Sequence, residues 1–547
     1  MALRRLLFLL AGLAQICDSQ LPSPRGKKFV MAFMQDQQKY QSNPPDIKYQ
    51  LLITGHHPAT VTKVSVSKHM FWRTFVISKG MTATVRLPGT FEMSGSNYFD
   101  MTVFIEANKD ISVFAHGHGG SSVGTTHMLP IHQLGRVYHV VTPNVSNTDG
   151  FKEFAIIAQE TATDVDISLT GDVLFNGQAY PAGSKLSVNL EAFQALQLQS
   201  SDDLSGTKIE SKEPVAVFSG HSCITKDNAC NQVYEQLLPS SSWGAFFIVP
   251  MLPFQNRDGI LYITASQNTY LKYQHGDVLS SQTLESGEVM QLNKYSSEPV
   301  SISASARIQV LYFSTGGESQ GHGPLLLNIP AVTSFCKSYD LLSMKQLDNY
   351  AIIVAKTSDP SRIRIQRKTL AKSQWKIVPD TEYYWTEYSL ARGGGILSSE
   401  GLRVPLGVFI LGFSQNDGYG SQDHCTSSMT CPANSHYEVC TDTCSNHCAN
   451  VTNSEPCPET CTEGCQCDDG FLLDGIDCIP KENCGCFSNG HYYQPNDIVL
   501  LNACKQQCTC IPGEGLTCID HSCAAQETCE SQEGVLRCVQ KGNQNDG

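Results

Sequence analysis

The chain has 547 residues, a formal net charge of −14 and 41% hydrophobic residues. That length holds several domains with sizeable cores. The acidic balance excludes the basic footprint of a nucleic-acid binder. Of its 23 cysteines, only Cys17, Cys223, Cys230 and Cys336 precede Cys425, so the chain divides into a cysteine-poor body and a cysteine-dense tail.

Residues 1–19 have the build of a secretory signal peptide, with Arg4 and Arg5, the apolar Leu6–Ala14 and small residues around Ser19. Cleavage after Ser19 removes Cys17 and leaves an even 22 cysteines, suited to complete pairing in an oxidising compartment. No later apolar run reaches transmembrane length, so an extracellular protein without membrane insertion is expected. The sequons at Asn144 and Asn450 suit the same route.

Residues 20–424 carry a unit written about four times, over approximately 28–128, 138–238, 246–329 and 339–424. Each copy opens on an aromatic-led run, at Phe29, Tyr138, Phe246 and Tyr339. Each closes on an apolar run entering a Gly/Ser-rich turn: KDISVFAHG to Gly117, EPVAVFSG to Gly220, ARIQVLYFSTGG to Gly317 and PLGVFILGFS to Ser414. Such runs predict buried strands, and the alternation of Ala59–Ser67, Thr163–Leu169 and Ser361–Arg367 predicts half-exposed ones. Pro130 and Pro239 each stand five residues before a glycine, Gly135 and Gly244, fixing a recurring connection. Helical periodicity is almost absent. The expectation is an all-β region of tandem β-sandwich-like repeats, with a propeller as the rival architecture, set aside because its blades are usually about half this length. A disulfide between Cys223 and Cys230 would staple the second copy's turn, leaving Cys336 and Cys425 as the remaining pair.

From Cys431 to Cys484 ten cysteines stand among little apolar matter, at positions 431, 440, 444, 448, 457, 461, 465, 467, 478 and 484. Eight more follow, at 486, 504, 508, 510, 518, 523, 529 and 538. Segments this poor in apolar residues need disulfides for stability, and the absence of any C-x2-C pair argues against zinc.

The motifs CPETC, GCQCDDGF and CIPKENC make residues 431–484 resemble a trypsin-inhibitor-like (TIL) domain. Residues 486–538 resemble the von Willebrand C- or E-type module that accompanies TIL domains, and 539–547 form a polar tail. With VFAHGHGG, PVAVFSGHSC and NQVYEQLLP upstream, the chain resembles the family of mucus IgG Fc-binding proteins. The resemblance implies a secreted, non-enzymatic mucosal glycoprotein without a cofactor, whose partners are the Fc part of IgG and mucins or other mucus glycoproteins. Longer family members continue into von Willebrand D domains, often with a Gly-Asp-Pro-His site. Neither stands in this sequence, so cross-linking through D domains is not expected of it. The resemblance also places an inhibitory loop between the fifth and sixth TIL cysteines, at Pro458, Glu459 and Thr460. A protease inhibitor is therefore one alternative, and a purely structural matrix component another.

Three further patterns have plainer readings. Gly120–Gly124 matches G-x-S-x-G but lacks the following helix that a nucleophile elbow needs, so a flexible turn is expected. His116, His118, His127, His132, His139, His221 and His322 could converge on a metal but lack acidic or cysteine ligands at fitting spacing, so polar turn residues are expected. Arg362, Arg364, Arg367, Lys368, Lys372 and Lys376 form a basic face able to attract anionic glycans, or simply a solvated strand.

Overall fold

The computed structural model describes residues 25–540 apart from short internal stretches, the longest being 38–47, 251–258, 315–322, 423–432 and 449–460. The chain divides into two compact units, Met1–Ser428 and Met429–Gly547. Strands and short 3-10 turns make up the regular structure, with no α-helix among the described residues.

The first unit holds four copies of one strand plan. Copy one comprises β1 (Gly26–Met31), β2 (Lys48–Gly55), β3 (Thr60–Val66), β4 (Phe71–Ile77), β5 (Thr82–Leu87), β6 (Asn97–Phe99), β7 (Val103–His118) and β8 (Thr125–His127). Copy two runs β9 (Gly135–His139), β10 (Lys152–Ala158), β11 (Thr163–Ser168), β12 (Val173–Phe175), β13 (Gln178–Tyr180), β14 (Lys185–Leu190), β15 (Ala195–Ser200), β16 (Lys208–Lys226) and β17 (Ala229–Gln236). Copy three runs β18 (Gly244–Val249), β19 (Gly259–Ala265), β20 (Thr269–His275), β21 (Val278–Leu284), β22 (Val289–Lys294), β23 (Val300–Ser314) and β24 (Leu325–Asn328). Copy four runs β25 (Ser338–Leu341), β26 (Asp348–Ala355), β27 (Arg364–Ile365), β28 (Lys368–Thr369), β29 (Lys376–Ile377), β30 (Tyr384–Leu390), β31 (Gly395–Ser398), β32 (Leu406–Phe413) and β33 (Gly418–Gln422).

One long strand organises each copy. The first part of β7 lies between β1 and β3, and its second part lies between β2 and β8. The strand thus serves two sets of partners, with the short stretch 108–110 between them. β16 and β23 repeat this arrangement. In copy four the strand is split: β31 pairs with β25 and β27, and β32 pairs with β26 and β33. The recurring apolar runs of the sequence form the second part of these strands. Their first residues, Ile111, Val215, Ile308 and Leu406, face Gly26, Gly135, Gly244 and Cys336 of the opening strands.

That crossing explains the repeated glycines and aromatics. A Cβ on Gly26 would lie 2.3 Å from Cβ of Pro130, and one on Gly135 would lie 2.3 Å from Cβ of Pro239. Each glycine therefore admits the proline of the connection into the next copy. Three residues on, Tyr138 accepts a hydrogen bond from the Gly135 amide (2.8 Å) and donates to the Val215 carbonyl (2.7 Å). Tyr339 bridges Cys336 and Leu406 in the same way. Copies one and three place Phe29 and Phe247 at this position, both buried.

The four copies follow one another in sequence but do not form an open string. Their closing strands meet in cyclic order: β8 touches β17, β17 touches β24, β24 touches β33, and β33 touches β8. Leu52 of copy one packs against the core of copy four, consistent with this closure. Neighbouring copies share apolar cores as well: Ala155, Ile157 and Phe218 join the first copy's cluster, and Tyr262, Leu311 and Phe313 join the second's. β6 completes the edge of copy two's sheet by pairing with β15.

A polar knot sits where three closing strands meet. Glu235 of β17 accepts hydrogen bonds from the Thr126 hydroxyl (2.8 Å) and the Asn328 side-chain amide (3.0 Å). Gln236 receives the Leu129 amide at 2.8 Å, and its own amide donates to Thr126 at 3.0 Å. Burial pushes the Glu235 carboxyl up to about 8, because desolvation penalises its anion more than these donors stabilise it.

The second unit is built differently. Ser435–Asp442 pairs with Cys461–Cys467 and Phe471–Asp474 with Asp477–Pro480, while five strands between Ile498 and Gln540 make one sheet. Every buried hydrophobic residue described in this unit is a cysteine. Disulfides join Cys448–Cys484, Cys467–Cys478, Cys486–Cys510, Cys504–Cys529, Cys508–Cys518 and Cys523–Cys538. Closing loops of these lengths contributes roughly 3 kcal/mol per bridge.

Two outcomes follow for the first unit. Tyr138→Phe deprives a buried amide and carbonyl of their shared partner and is expected to cost about 1–3 kcal/mol in denaturant melts. Glu235 has a folded pKa raised from 4.5 to about 8, so its contribution is fully present below the unfolded value and is lost as pH rises through the folded one. Glu235→Gln, measured by thermal melts, should therefore resemble the parent at acidic pH and melt higher at mildly alkaline pH. His139 and His221 are pushed down by burial, to about 4 and about 3. They act in the opposite sense, losing stability as pH falls below the ordinary histidine range. Buried Glu153 is raised in the same sense as Glu235, so the difference between variant and parent, not the parent's own alkaline loss, reports on Glu235.

Candidate binding groove

Copy two departs from the shared plan between its third and fourth strands. The corresponding strands are joined by short turns in copies one and three, from Val66 to Phe71 and from His275 to Val278. In copy two the β12–β13 hairpin is inserted between β11 and β14. Its turn is Asn176-Gly177, with φ of 51° and 75°, as a two-residue type I′ connection requires. Val173 and Phe175 are buried and anchor the hairpin, while Leu174 and Asn176 point outward. Phe175 meets Tyr98 of β6 edge-on, with ring centroids 5.3 Å apart.

The hairpin walls a groove of about 680 Å³ at the boundary between copies one and two. Phe151, Leu174 and Tyr180 supply apolar surface, and Ser96, Asn97 and Asn176 supply hydrogen-bonding groups. Asp172 is the one charged residue of the lining, and it receives the Ala182 amide at 2.8 Å. Gln199 forms part of the floor and ties the groove to a buried network below. Its amide donates to Glu153 at 2.7 Å and to Gln35 at 3.1 Å. Burial raises the Glu153 carboxyl well above its ordinary range, opposed by hydrogen bonds from Gln199 and Gln232. Nearby, Tyr49 donates to Glu92 at 2.8 Å, and the Asp36 amide donates to the same carboxylate at 2.9 Å. The lining holds no histidine, cysteine or lysine, so it suits recognition by packing and hydrogen bonding rather than proton transfer or nucleophilic chemistry.

The residues singled out from sequence take separate places. Cys223 and Cys230 are joined across the β16–β17 turn. Cys336 is disulfide-bonded, while Cys425 lies outside the described residues. All eight cysteines from Cys486 to Cys538 are paired. The Cys504, Cys523 and Cys538 sulfurs lie within 4.8 Å of one another, but as disulfide sulfurs they are not thiolate ligands. The remaining TIL cysteines among the described residues, Cys440, Cys461 and Cys465, lie in paired strands. Cys431, Cys444 and Cys457 lie outside the described residues, as do Asn450 and the loop Pro458, Glu459 and Thr460.

Asn144 is exposed, and its amide donates to the Tyr262 hydroxyl at 3.0 Å. His116 bonds Thr125 at 2.8 Å, His127 stacks on Phe114, and His139 packs near Trp243. Of the basic cluster, Arg364 and Lys368 lie in β27 and β28, and the Lys376 ammonium sits 4.9 Å from the Trp385 ring centroid. The serine of the G-x-S-x-G pattern lies outside the described residues. Gly124 is described, and a Cβ there would lie 2.5 Å from Tyr234 Cε1, so packing accounts for this glycine.

Sequence reasoning missed the groove, although Asn176-Gly177 between apolar residues is a strong hairpin signal. It also missed Glu153 and Glu235, which stand as single acids beside buried runs.

Comparison with known proteins fits this architecture. Residues 124–412, a little over half of the chain, match the family described as IgGFc binding protein. Residues 431–484 match the trypsin-inhibitor-like cysteine-rich domain, and 485–539 match the TILa domain. TILa thus replaces the von Willebrand C- or E-type assignment of the last module. Human IgGFc-binding protein is 35% identical over 430 residues, 78% of this chain but 8% of that protein. Mouse alpha-tectorin is 39% identical over 119 residues, 22% of this chain and 6% of the relative. Mouse zonadhesin is 42% identical over 115 residues, 21% of this chain and 2% of the relative. The chain therefore spans less than a tenth of the length of these relatives. It belongs to the IgGFc binding protein family.

Proposed function

We propose that the chain is a secreted, non-enzymatic binding protein whose four-copy unit recognises the Fc part of IgG, with the copy-two groove at the contact. The observation that carries this reading is the family match over 124–412, which includes the groove's hairpin. Groove chemistry agrees: Phe151, Leu174 and Tyr180 offer apolar anchors, and a rim of serine and asparagine offers hydrogen bonds.

The disulfide-built second unit serves as a rigid spacer, and mucins or other mucus glycoproteins are a second class of partner. Residues 1–19 direct secretion, and Asn144 and Asn450 carry N-glycans on that route. Among the described residues no helix is long and apolar enough to cross a membrane.

Purified full-length chain should bind immobilised Fc saturably and ignore Fab. Leu174→Arg and Phe151→Ser, both at exposed positions, should weaken that binding by roughly tenfold or more without changing the melting temperature. Saturable Fc binding that ignores both substitutions would move the contact away from the groove. Loss of Fc binding altogether would remove Fc as the ligand and leave mucus glycoproteins to be tested by the same method.

A further inference from the structure

The first copy combines an apolar sheet edge with a stretch of basic residues. β4 ends its sheet, pairing with β3 on one side only among the described residues. On the outer face of the pair, Val61 stands opposite Val76, Lys63 opposite Thr74 and Ser65 opposite Trp72. Trp72 is 64% exposed and Val76 65%, and Val61 and Met70 are exposed beside them. An open edge with exposed apolar side chains is one that soluble proteins normally protect with charges, prolines or a covering element.

Copy two shows that protection at the corresponding place. On β11 and β14, Asp164 and Asp166 bind Asn189 and Ser187 at 2.7 and 2.6 Å and pair with Lys212 and Lys185. Copy three also ends its sheet on an edge strand, β21, and exposes Val278, Leu279 and Tyr270, but sets Lys272 against the Tyr270 ring.

Charge separates the copies further. In a chain of net charge −14, the stretch from Lys48 to Phe91 holds Lys48, Lys63, Lys68, Arg73, Lys79 and Arg86 and no acidic residue. The equivalent stretch of copy two, Lys152 to Phe193, holds six acidic residues and two lysines. Lys68 is held by Asp100 and Glu191. The stretch keeps an excess of cations beside a strand edge with one ladder partner among the described residues and an apolar outer face. On the inner face of β4, exposed Arg73 lies across the Phe71 ring at 5.0 Å and donates to the Trp72 carbonyl at 3.0 Å, a hydrogen bond that an added strand would replace.

We infer that β4 is a docking edge for an acidic, extended segment of another protein, which adds as a further strand. Its alternate apolar side chains pack beside Trp72 and Val76, and its carboxylates lie toward Arg73. Main-chain hydrogen bonds supply affinity, while the alternation and the charge select the partner. The surface lies outside residues 124–412, the stretch that matches the family model.

The test uses the full chain and a labelled synthetic peptide of alternating glutamate and valine, with a lysine-for-glutamate peptide as its control. The glutamate peptide should bind saturably, more weakly as ionic strength rises, and the lysine peptide should not bind. Trp72→Ser with Val76→Ser should reduce affinity roughly tenfold at an unchanged melting temperature. N-methylation of alternate peptide amides should abolish binding. Should the double variant melt differently, Arg73→Glu decides the matter, because it should reverse the preference between the two peptides. No saturable binding, equal binding of both peptides, or binding insensitive to all variants would overturn the inference. So would concentration-dependent self-association lost in the double variant, since the occupant would then be a second copy of this chain.

Discussion

A strand of fifteen or more residues, half exposed in its first part and buried in its second, needs backbone partners along most of its length, and the first unit is the solution to that constraint. β7, β16 and β23 obtain partners by exchanging neighbours partway, so the opening and third strands serve one part while the second and last serve the other. The exchange leaves a register shift where the opening strand meets the second part of the long strand. Gly26, Gly135 and Gly244 stand at that crossing. Copy four meets the same constraint with two shorter strands and puts Cys336 where its siblings have glycine. An aromatic ring three residues later fills the space beneath the crossing in every copy, and in two copies its hydroxyl also satisfies the local backbone.

Much of this was legible in the sequence because it is local and repeated. Apolar runs such as Val215–Phe218 could only be buried strands, and the alternation of Thr163–Leu169 declared one wet face. The repeated Pro-x4-Gly spacing announced a recurring connection but misdirected its pairing. Gly135 does not answer to Pro130, five residues before it, but to Pro239 in the connection that follows its copy. Closure was not legible, since nothing local distinguishes a string of four copies from a ring of four. The groove was missed: Asn176-Gly177 carries a hairpin signal that the sequence reading does not take up, and its partner wall at Ser96 and Asn97 is remote in sequence.

The tail shows the opposite balance. Its cysteine count declared how it would be held together, and the described residues have a core made of little else. Connectivity was not legible, because pairing depends on which sulfurs the chain brings within reach, not on their order. Cys508 and Cys518 sit opposite each other on neighbouring strands, as do Cys529 and Cys538, yet only the first pair is bonded. Cys529 and Cys538 instead bind Cys504 and Cys523.

The meeting of β33 with β8 has a consequence for how such a unit can change over generations. An open solenoid lengthens or shortens by whole repeats, because each repeat touches only its neighbours and a terminal one can be duplicated. Here the last copy already occupies the first copy's flank, with Leu52 seated against it. A fifth copy would have no place, and a missing one would bare two apolar flanks together. Copy number is frozen, and novelty must enter through what each copy displays. The hairpin of copy two, the charge lattice on its outer strands and the bare edge of copy one are three such displays on a single scaffold.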